Sequence, residues 1–252
     1  MIRLDEKVIL VTGGSRGIGA ATVRQMVALG ASCIVHFGSN RTAAEKLASE
    51  VGENNVRLVQ ADLVCVEDTE RLWQEALEWK GRVDVLVNNA GVYEVCSPDW
   101  ELDDWLAGWE RTMRINLLSA AQLCRSAIPH FRTRDGGIIV NVASRAAHRG
   151  DDFLHQQYGA SKAGMLALTR SIARSCAKEN ILSYGVAPGF VDTDMVSEVI
   201  AQRGREELGK MYPTGHVIDP KEVASVIIFL ASGIAPQTTG DTIDLSGAAD
   251  VR

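Results

Sequence analysis

Short, nearly continuous apolar runs alternate along the chain with longer segments whose apolar positions recur at helical spacing. Residues 8–12, 32–37, 56–60, 83–87, 138–142, 182–186 and 242–245 read as strands. Residues 18–29, 42–51, 68–79, 157–177 and 222–231 read as helices, and 105–131 as one long helix or two in succession. Strands apolar on both faces belong in a sheet covered by helices on both sides. Repeated β-α units join by right-handed crossovers into a parallel sheet. The pattern predicts an α/β protein, one doubly wound domain over residues 1–252, since no linker, repeat or low-complexity run divides it. Its least regular stretch, 190–220, mixes charges with Gly204, Gly209, Pro213 and Gly215. A substrate loop or lid is expected at about 190–215.

Composition narrows the class. Of 252 residues, 46% are hydrophobic and 23% charged, as in ordinary globular domains. A net charge of −6 without a basic run argues against nucleic acid as a partner. Asp5, Glu6 and Lys7 interrupt the start before a secretory apolar core forms. The longest weakly polar stretch, 223–236, is short of the about 20 residues a bilayer span needs. Five scattered cysteines with no C-x-x-C suggest neither zinc nor disulfides. These features fit a cytoplasmic protein with no membrane partner.

The chemistry begins at the first strand-helix junction, Thr12-Gly13-Gly14-Ser15-Arg16-Gly17-Ile18-Gly19. Glycines there permit a tight turn and a close approach of backbone to a pyrophosphate, whose charge the helix N-terminus favours. A dinucleotide is therefore expected over Gly13, Ser15, Arg16, Gly17, Ile18 and Gly19. An NAD site usually carries an acid at the end of the second strand. Here that segment, Val35-His36-Phe37-Gly38-Ser39-Asn40-Arg41, has none. Arg16 and Arg41, with Phe37, Ser39 and Asn40, suit a ribose 2′-phosphate, so NADP(H) is expected over NAD(H). A charge pair at about 4 Å and an effective dielectric near 20 is worth about 4 kcal/mol before desolvation. Asp62, after the third strand and beside Leu63, is either an adenine contact or a helix N-cap.

Tyr158 and Lys162 stand at i, i+4, on one helix face. A phenol ordinarily titrates near 10, and a neighbouring ammonium lowers that value. The pair makes a workable general acid/base for carbonyl-alcohol conversion. Ser144 follows the fifth strand at the end where ligands sit in such sheets, placed to hold a substrate oxygen. Asn88-Asn89-Ala90-Gly91 follows the fourth strand, and its small residues let a ring or ribose approach. Asn116 lies mid-helix, a mediocre place for Asn. There it offers its side chain to a water or its carbonyl to a polar channel.

Together, Thr12-Gly13-x-x-x-Gly17-x-Gly19, Asn88-Asn89-Ala90-Gly91, Asn116, Ser144, Tyr158-x-x-x-Lys162 and Pro188-Gly189 resemble the short-chain dehydrogenase/reductase family over essentially the whole chain. The resemblance implies a Rossmann-type sheet and four catalytic residues. Tyr158 is then the acid/base. Lys162 binds the nicotinamide ribose and lowers the Tyr158 pKa. Ser144 positions the substrate oxygen, and Asn116 holds a water linking Lys162 to solvent. Asn89, Ala90, Gly91, Pro188, Gly189, Val191 and Thr193 would lie along the cofactor. Two departures bear on substrate fit. Tyr184 replaces a usual Asn upstream of the Pro-Gly turn, and the Ser144–Tyr158 interval is one residue longer than is commonest.

The pocket walls are expected in 92–97, 145–157 and 190–214. The second is polar, with Arg145, His148, Arg149, Asp151, Asp152 and His155, which suits a polar or anionic substrate. No metal is expected from its histidines, since hydride chemistry needs none. Helices 105–131 and 157–177 are apolar around much of their girth, which implies a homo-oligomer, dimer or tetramer. The leading expectation is an NADP(H)-dependent carbonyl reductase, with 3-oxoacyl-carrier-protein reduction as the activity to test. Its rivals are a sugar, polyol or other secondary-alcohol dehydrogenase and a dinucleotide sensor without turnover.

Overall fold

The computed structural model describes residues 2–194, 201 and 203–249. Seven parallel strands form one sheet in the order β3-β2-β1-β4-β5-β6-β7. They are β1 Val8–Val11, β2 Ser32–Phe37, β3 Val56–Gln60, β4 Val85–Asn88, β5 Gly137–Val142, β6 Ile181–Pro188 and β7 Thr242–Leu245. Every residue of β1, β4 and β6 is buried, as the apolar runs require. Registry is tight, with Val11 opposite Val35 and Asn88 opposite Asn141.

The helices are α1 Gly17–Ala28, α2 Arg41–Val51, α3 Val66–Lys80, α4 Leu102–Met113, α5 Ser119–Arg132, α6 Ala146–Arg149, α7 Gln156–Cys176, α8 Arg205–Gly209 and α9 Pro220–Ala231. One core packs α1, α2 and α9 on the sheet through Val23, Met26, Leu47 and Ile227. The other packs α3, α5 and α7 through Leu72, Leu123, Phe131 and Ile172. Helix α9 starts at a capping box, Asp219 with Glu222, and Pro220 in the first turn. Gly81 ends α3 in the left-handed conformation.

The expected segment 105–131 is a longer helical run in three parts. Helix α4 begins earlier, at Leu102, and meets α5 through a π-helical turn, Arg114–Leu118. Strand β6 also exceeds the expected 182–186. Ser183 and Gly185 interrupt its apolar run, yet both are buried and paired with β5; on the other side Gly185 pairs with β7 and Ser183 bonds Thr239 and Gly240. Strand order reverses between β1 and β4, which opens a crevice at the carboxyl ends of the strands, where ligands bind in open α/β sheets. No helix among the described residues is long and apolar enough to cross a membrane.

Candidate active site

The glycine loop between β1 and α1 is held from two sides. Gly13 and Gly17 have φ of 61° and 53°, and a Cβ at Gly19 would run into the Gly13 carbonyl oxygen. From β4, the Asn89 amide donates to the carbonyls of Thr12 (2.9 Å) and Gly13 (3.1 Å). The Thr12 hydroxyl accepts from the backbone N–H of Asn89 and Ala90. From β2, His36 Nδ1 accepts from Gly13 N–H at 3.0 Å, and its Nε2 lies 3.1 Å from the Ala61 carbonyl oxygen. A ring that accepts on one nitrogen and donates from the other is neutral. Burial agrees, lowering the His36 pKa to about 4. His36 was not among the expected site residues; its only sequence signal is a polar position inside an apolar strand. Helix α1 has no side-chain N-cap and no acid in its first turn. Its leading N–H groups therefore face the crevice without intrahelical partners, a cradle suited to the phosphates of a dinucleotide.

Phe37 and Leu63 are interior side chains, 1% and 5% exposed, so each can offer a ligand mainly its backbone. Ser39, Asn40 and Arg41 are exposed. The Asn40 carboxamide caps α2 by accepting from Ala43 N–H. Arg41 lies over the Phe37 ring (5.4 Å) and donates to Gln60 Oε1 (3.0 Å). Arg16 reaches Asp194 at 4.0 Å. Asp62 does not cap a helix: it closes a local turn by accepting from Val64 N–H, while α3 begins after Cys65.

Across the crevice, Tyr158 and Lys162 stand one turn apart near the start of α7. Lys162 is buried; its Nζ donates to the Val142 carbonyl at 2.9 Å and sits 5.8 Å from the Tyr158 ring centre. The Ser144 hydroxyl accepts from Ala146 N–H and is hydrogen-bonded to Tyr158. The expectation that Lys162 lowers the Tyr158 pKa is not met in the chain alone. Burial dominates and pushes the phenol up to about 12, with Ser144 pulling the other way. The same burial brings the Lys162 ammonium down to about 8, which weakens it as a counter-charge.

Asn116 lies in the π-helical turn, a distortion frequent at functional sites. Its side chain accepts from Val92 N–H (2.8 Å) and donates to the Val92 carbonyl (3.0 Å) and Ser161 Oγ (3.1 Å). It is thereby committed to holding the turn after β4, so of the two roles expected for Asn116 only the main-chain one is left. Gly91 keeps space open there: a Cβ would lie 3.3 Å from both Asn116 Oδ1 and Lys162 Nζ.

Ser144, Tyr158, Gly189 and Val191 line an open cleft at this end of the sheet. The Pro188-Gly189 turn is braced by Arg145 N–H on the Pro188 carbonyl (2.9 Å), Gly189 N–H on Leu245, and Phe190 N–H on the Tyr212 hydroxyl. Tyr184 fills the core lower in β6, 1% exposed, with its hydroxyl on Ala235, so the turn does not depend on it. Thr193 packs toward Gly17, carrying the chain after β6 back over the glycine loop. In the expected lid at 190–215, residues 195–200 and 202 lie outside the described residues. The polar-loop histidines do not converge: His148 meets Asp244 at 3.3 Å and His155 meets Asp152 at 2.7 Å.

Residues 7–204 match the family model for short chain dehydrogenase. The chain is 32% identical to a 3-oxoacyl-[acyl-carrier-protein] reductase of Aquifex aeolicus, with 98% of each chain covered. It is 35% identical to a cis-4-hydroxycyclohexanecarboxylate dehydrogenase of Sinomonas cyclohexanicum, with 96% of each covered. A short-chain dehydrogenase/reductase structure from Brucella melitensis superposes with a TM-score of 0.89 at 32% identity over 100% of both chains. With its parallel sheet, clamped glycine loop and Ser-Tyr-Lys cleft, the chain belongs to the short-chain dehydrogenase/reductase family of oxidoreductases.

Proposed function

We propose that the protein is an NADP(H)-dependent oxidoreductase that interconverts a carbonyl and a secondary alcohol, with Tyr158 as general acid/base. The observation that carries this reading is the meeting of Tyr158, Ser144 and Lys162 at the crevice beside the uncapped start of α1. When bound, the nicotinamide supplies or accepts the hydride. In reduction, the Tyr158 hydroxyl gives its proton to the substrate oxygen. The Ser144 hydroxyl holds that oxygen, and Lys162 binds the nicotinamide ribose. Asn116, whose side chain is occupied by Val92, offers its main-chain carbonyl to the water that reconnects Lys162 with solvent. Gly13, Ser15, Gly17, Ile18 and Gly19 line the pyrophosphate; Asp62 and Leu63 border the adenine. Asn89, Ala90, Gly91, Pro188, Gly189, Val191 and Thr193 border the ribose and nicotinamide. Arg16 and Arg41, with more than half of each side chain exposed, take the 2′-phosphate without the cost of leaving a buried charge bare.

The protein works in the cytoplasm as a homo-oligomer on a small-molecule or acyl-type substrate. The relative from Aquifex aeolicus makes a 3-oxoacyl thioester one substrate to test; the polar rim at Arg149 and Asp151 supports a secondary alcohol with a polar substituent as the second. The deciding experiment is NADPH oxidation with a ketone panel by the parent and by Tyr158→Phe. Loss of about 10²–10⁴ in kcat, with NADPH binding retained, is expected. Equal turnover by the variant overturns the acid/base role, and equal use of NADH overturns the cofactor preference.

A further inference from the structure

Strands β4 and β6 flank β5 in the sheet, so the segments that follow them stand on either side of Ser144. Each carries an aromatic ring to the cleft: Tyr93 after β4 and Phe190 after β6. Neither ring is loose. Tyr93 stacks on His155 with ring centres 3.9 Å apart and planes 4° apart, and presents edge-to-face to Tyr158 at 4.8 Å. His155 is held by Asp152, and the two loops are joined by Cys96 N–H on the Leu154 carbonyl and the Gln157 amide on the Glu94 carbonyl, both at 2.8 Å. Phe190 lies under the Arg145 guanidinium at 4.9 Å, and its N–H is bonded to Tyr212. The space above Ser144 is thus walled by fixed rings, which favour a compact body with broad apolar faces.

The rim has a distinct charge pattern. Arg149, at the end of α6, lines the cleft and is exposed. Among the described residues, none of the ion pairs engages it. Asp151, on the same rim, directs one carboxylate oxygen to Asp152 N–H (2.9 Å) and lies 3.5 Å from the Tyr93 hydroxyl. A singly charged carboxylate suits one guanidinium, which meets it with paired N–H donors. Arg145, the other guanidinium lining the cleft, is buried and lies over the Phe190 and Tyr212 rings at 4.9 and 5.6 Å, so Arg149 is the exposed cation of the rim.

Resting on the oxidoreductase reading, we infer that the substrate is a compact ring-bearing keto or hydroxy acid. Its ring lies between Tyr93 and Phe190, and its carboxylate lies on Arg149. The test measures kcat/KM with NADPH for 3- and 4-oxocyclohexanecarboxylate, their carboxamides, and an acetoacetyl thioester. The carboxylates are expected to exceed the carboxamides by tenfold or more. Arg149→Gln closes that gap by raising KM for the carboxylates with little change in kcat, and Arg149→Lys restores part of it. Tyr93→Ala lowers the cyclic acids relative to the thioester. Equal turnover of carboxylates and carboxamides, an equal effect of Arg149→Gln on both, or turnover of the thioester alone overturns this inference and leaves the reductase reading standing. Absence of NADPH oxidation with any carbonyl compound overturns both.

Discussion

His36 joins the glycine loop to the end of β3 through one neutral ring, and its acceptor contact with Gly13 N–H depends on that neutrality. Its pKa falls from about 6.5 in the unfolded chain to about 4 in the fold, so the unfolded chain binds the proton more readily. Stability from this residue is complete above about pH 6.5 and is lost as the pH falls through 4, about 3 kcal/mol in all. His36→Phe is expected to flatten the dependence of urea unfolding on pH between 6.5 and 4. It is also expected to weaken NADPH binding roughly tenfold at pH 7, because Gly13 N–H loses its acceptor; fluorescence titration reads the second effect. An unchanged pH slope and affinity would remove the assigned role. Tyr158 gives a second pH signature. A phenol at about 12 is protonated at neutral pH, so ketone reduction should hold near pH 7 while alcohol oxidation climbs above pH 8; a pH-rate profile in both directions checks this. Tyr158, Lys162 and Ser144 were legible because they follow a spacing motif. Tyr93 was legible only as part of the expected pocket wall 92–97, and His36 was not, because its partners lie in other loops, brought close only by the folded sheet.

At the scale of elements, the catalytic helix is tied to the sheet by a buried polar ladder. Asn88 donates to Asn141 at 2.8 Å, Asn141 donates to Thr169 at 2.8 Å, and Thr169 donates to the Met165 carbonyl. The ladder runs from β4 through β5 into α7, two turns beyond Lys162. Thr169→Val keeps the volume but leaves the Asn141 amide without its acceptor. The expected cost is about 1–3 kcal/mol, read as a lower urea midpoint with an unchanged m-value; an unshifted midpoint would mean that the ladder adds nothing. The strands were legible because burial on both faces demands continuous apolar runs. The π-helical turn was not. Its wider winding goes with the seating of Asn116 on Val92, a contact 24 residues away in sequence. The short helix α6 escaped notice too, since four residues carry no period.

At the scale of the whole molecule, the order of β-α units foretold the parallel sheet and the crevice, because chain connectivity leaves few other topologies. Assembly is less directly written. Leu102, Leu106 and Leu118 are 66%, 40% and 47% exposed, with Trp100 beside them at 43%. Leu102 and Leu106 are one turn apart and share a face of α4, turned away from both cores. If a twofold interface covers this face, each leucine is buried twice. At roughly 1.5–3 kcal/mol per fully buried side chain, scaled by the 66% and 40% still exposed, the four leucines contribute roughly 3–6 kcal/mol before the cost of association. Light scattering at tens of micromolar should give a mass that is a multiple of 27.3 kDa. Replacing Leu102 and Leu106 together by Lys should reduce it toward 27.3 kDa while circular dichroism keeps the parent's helix signal. A parent protein already at 27.3 kDa removes the oligomer; a double variant that still assembles moves the interface to another face.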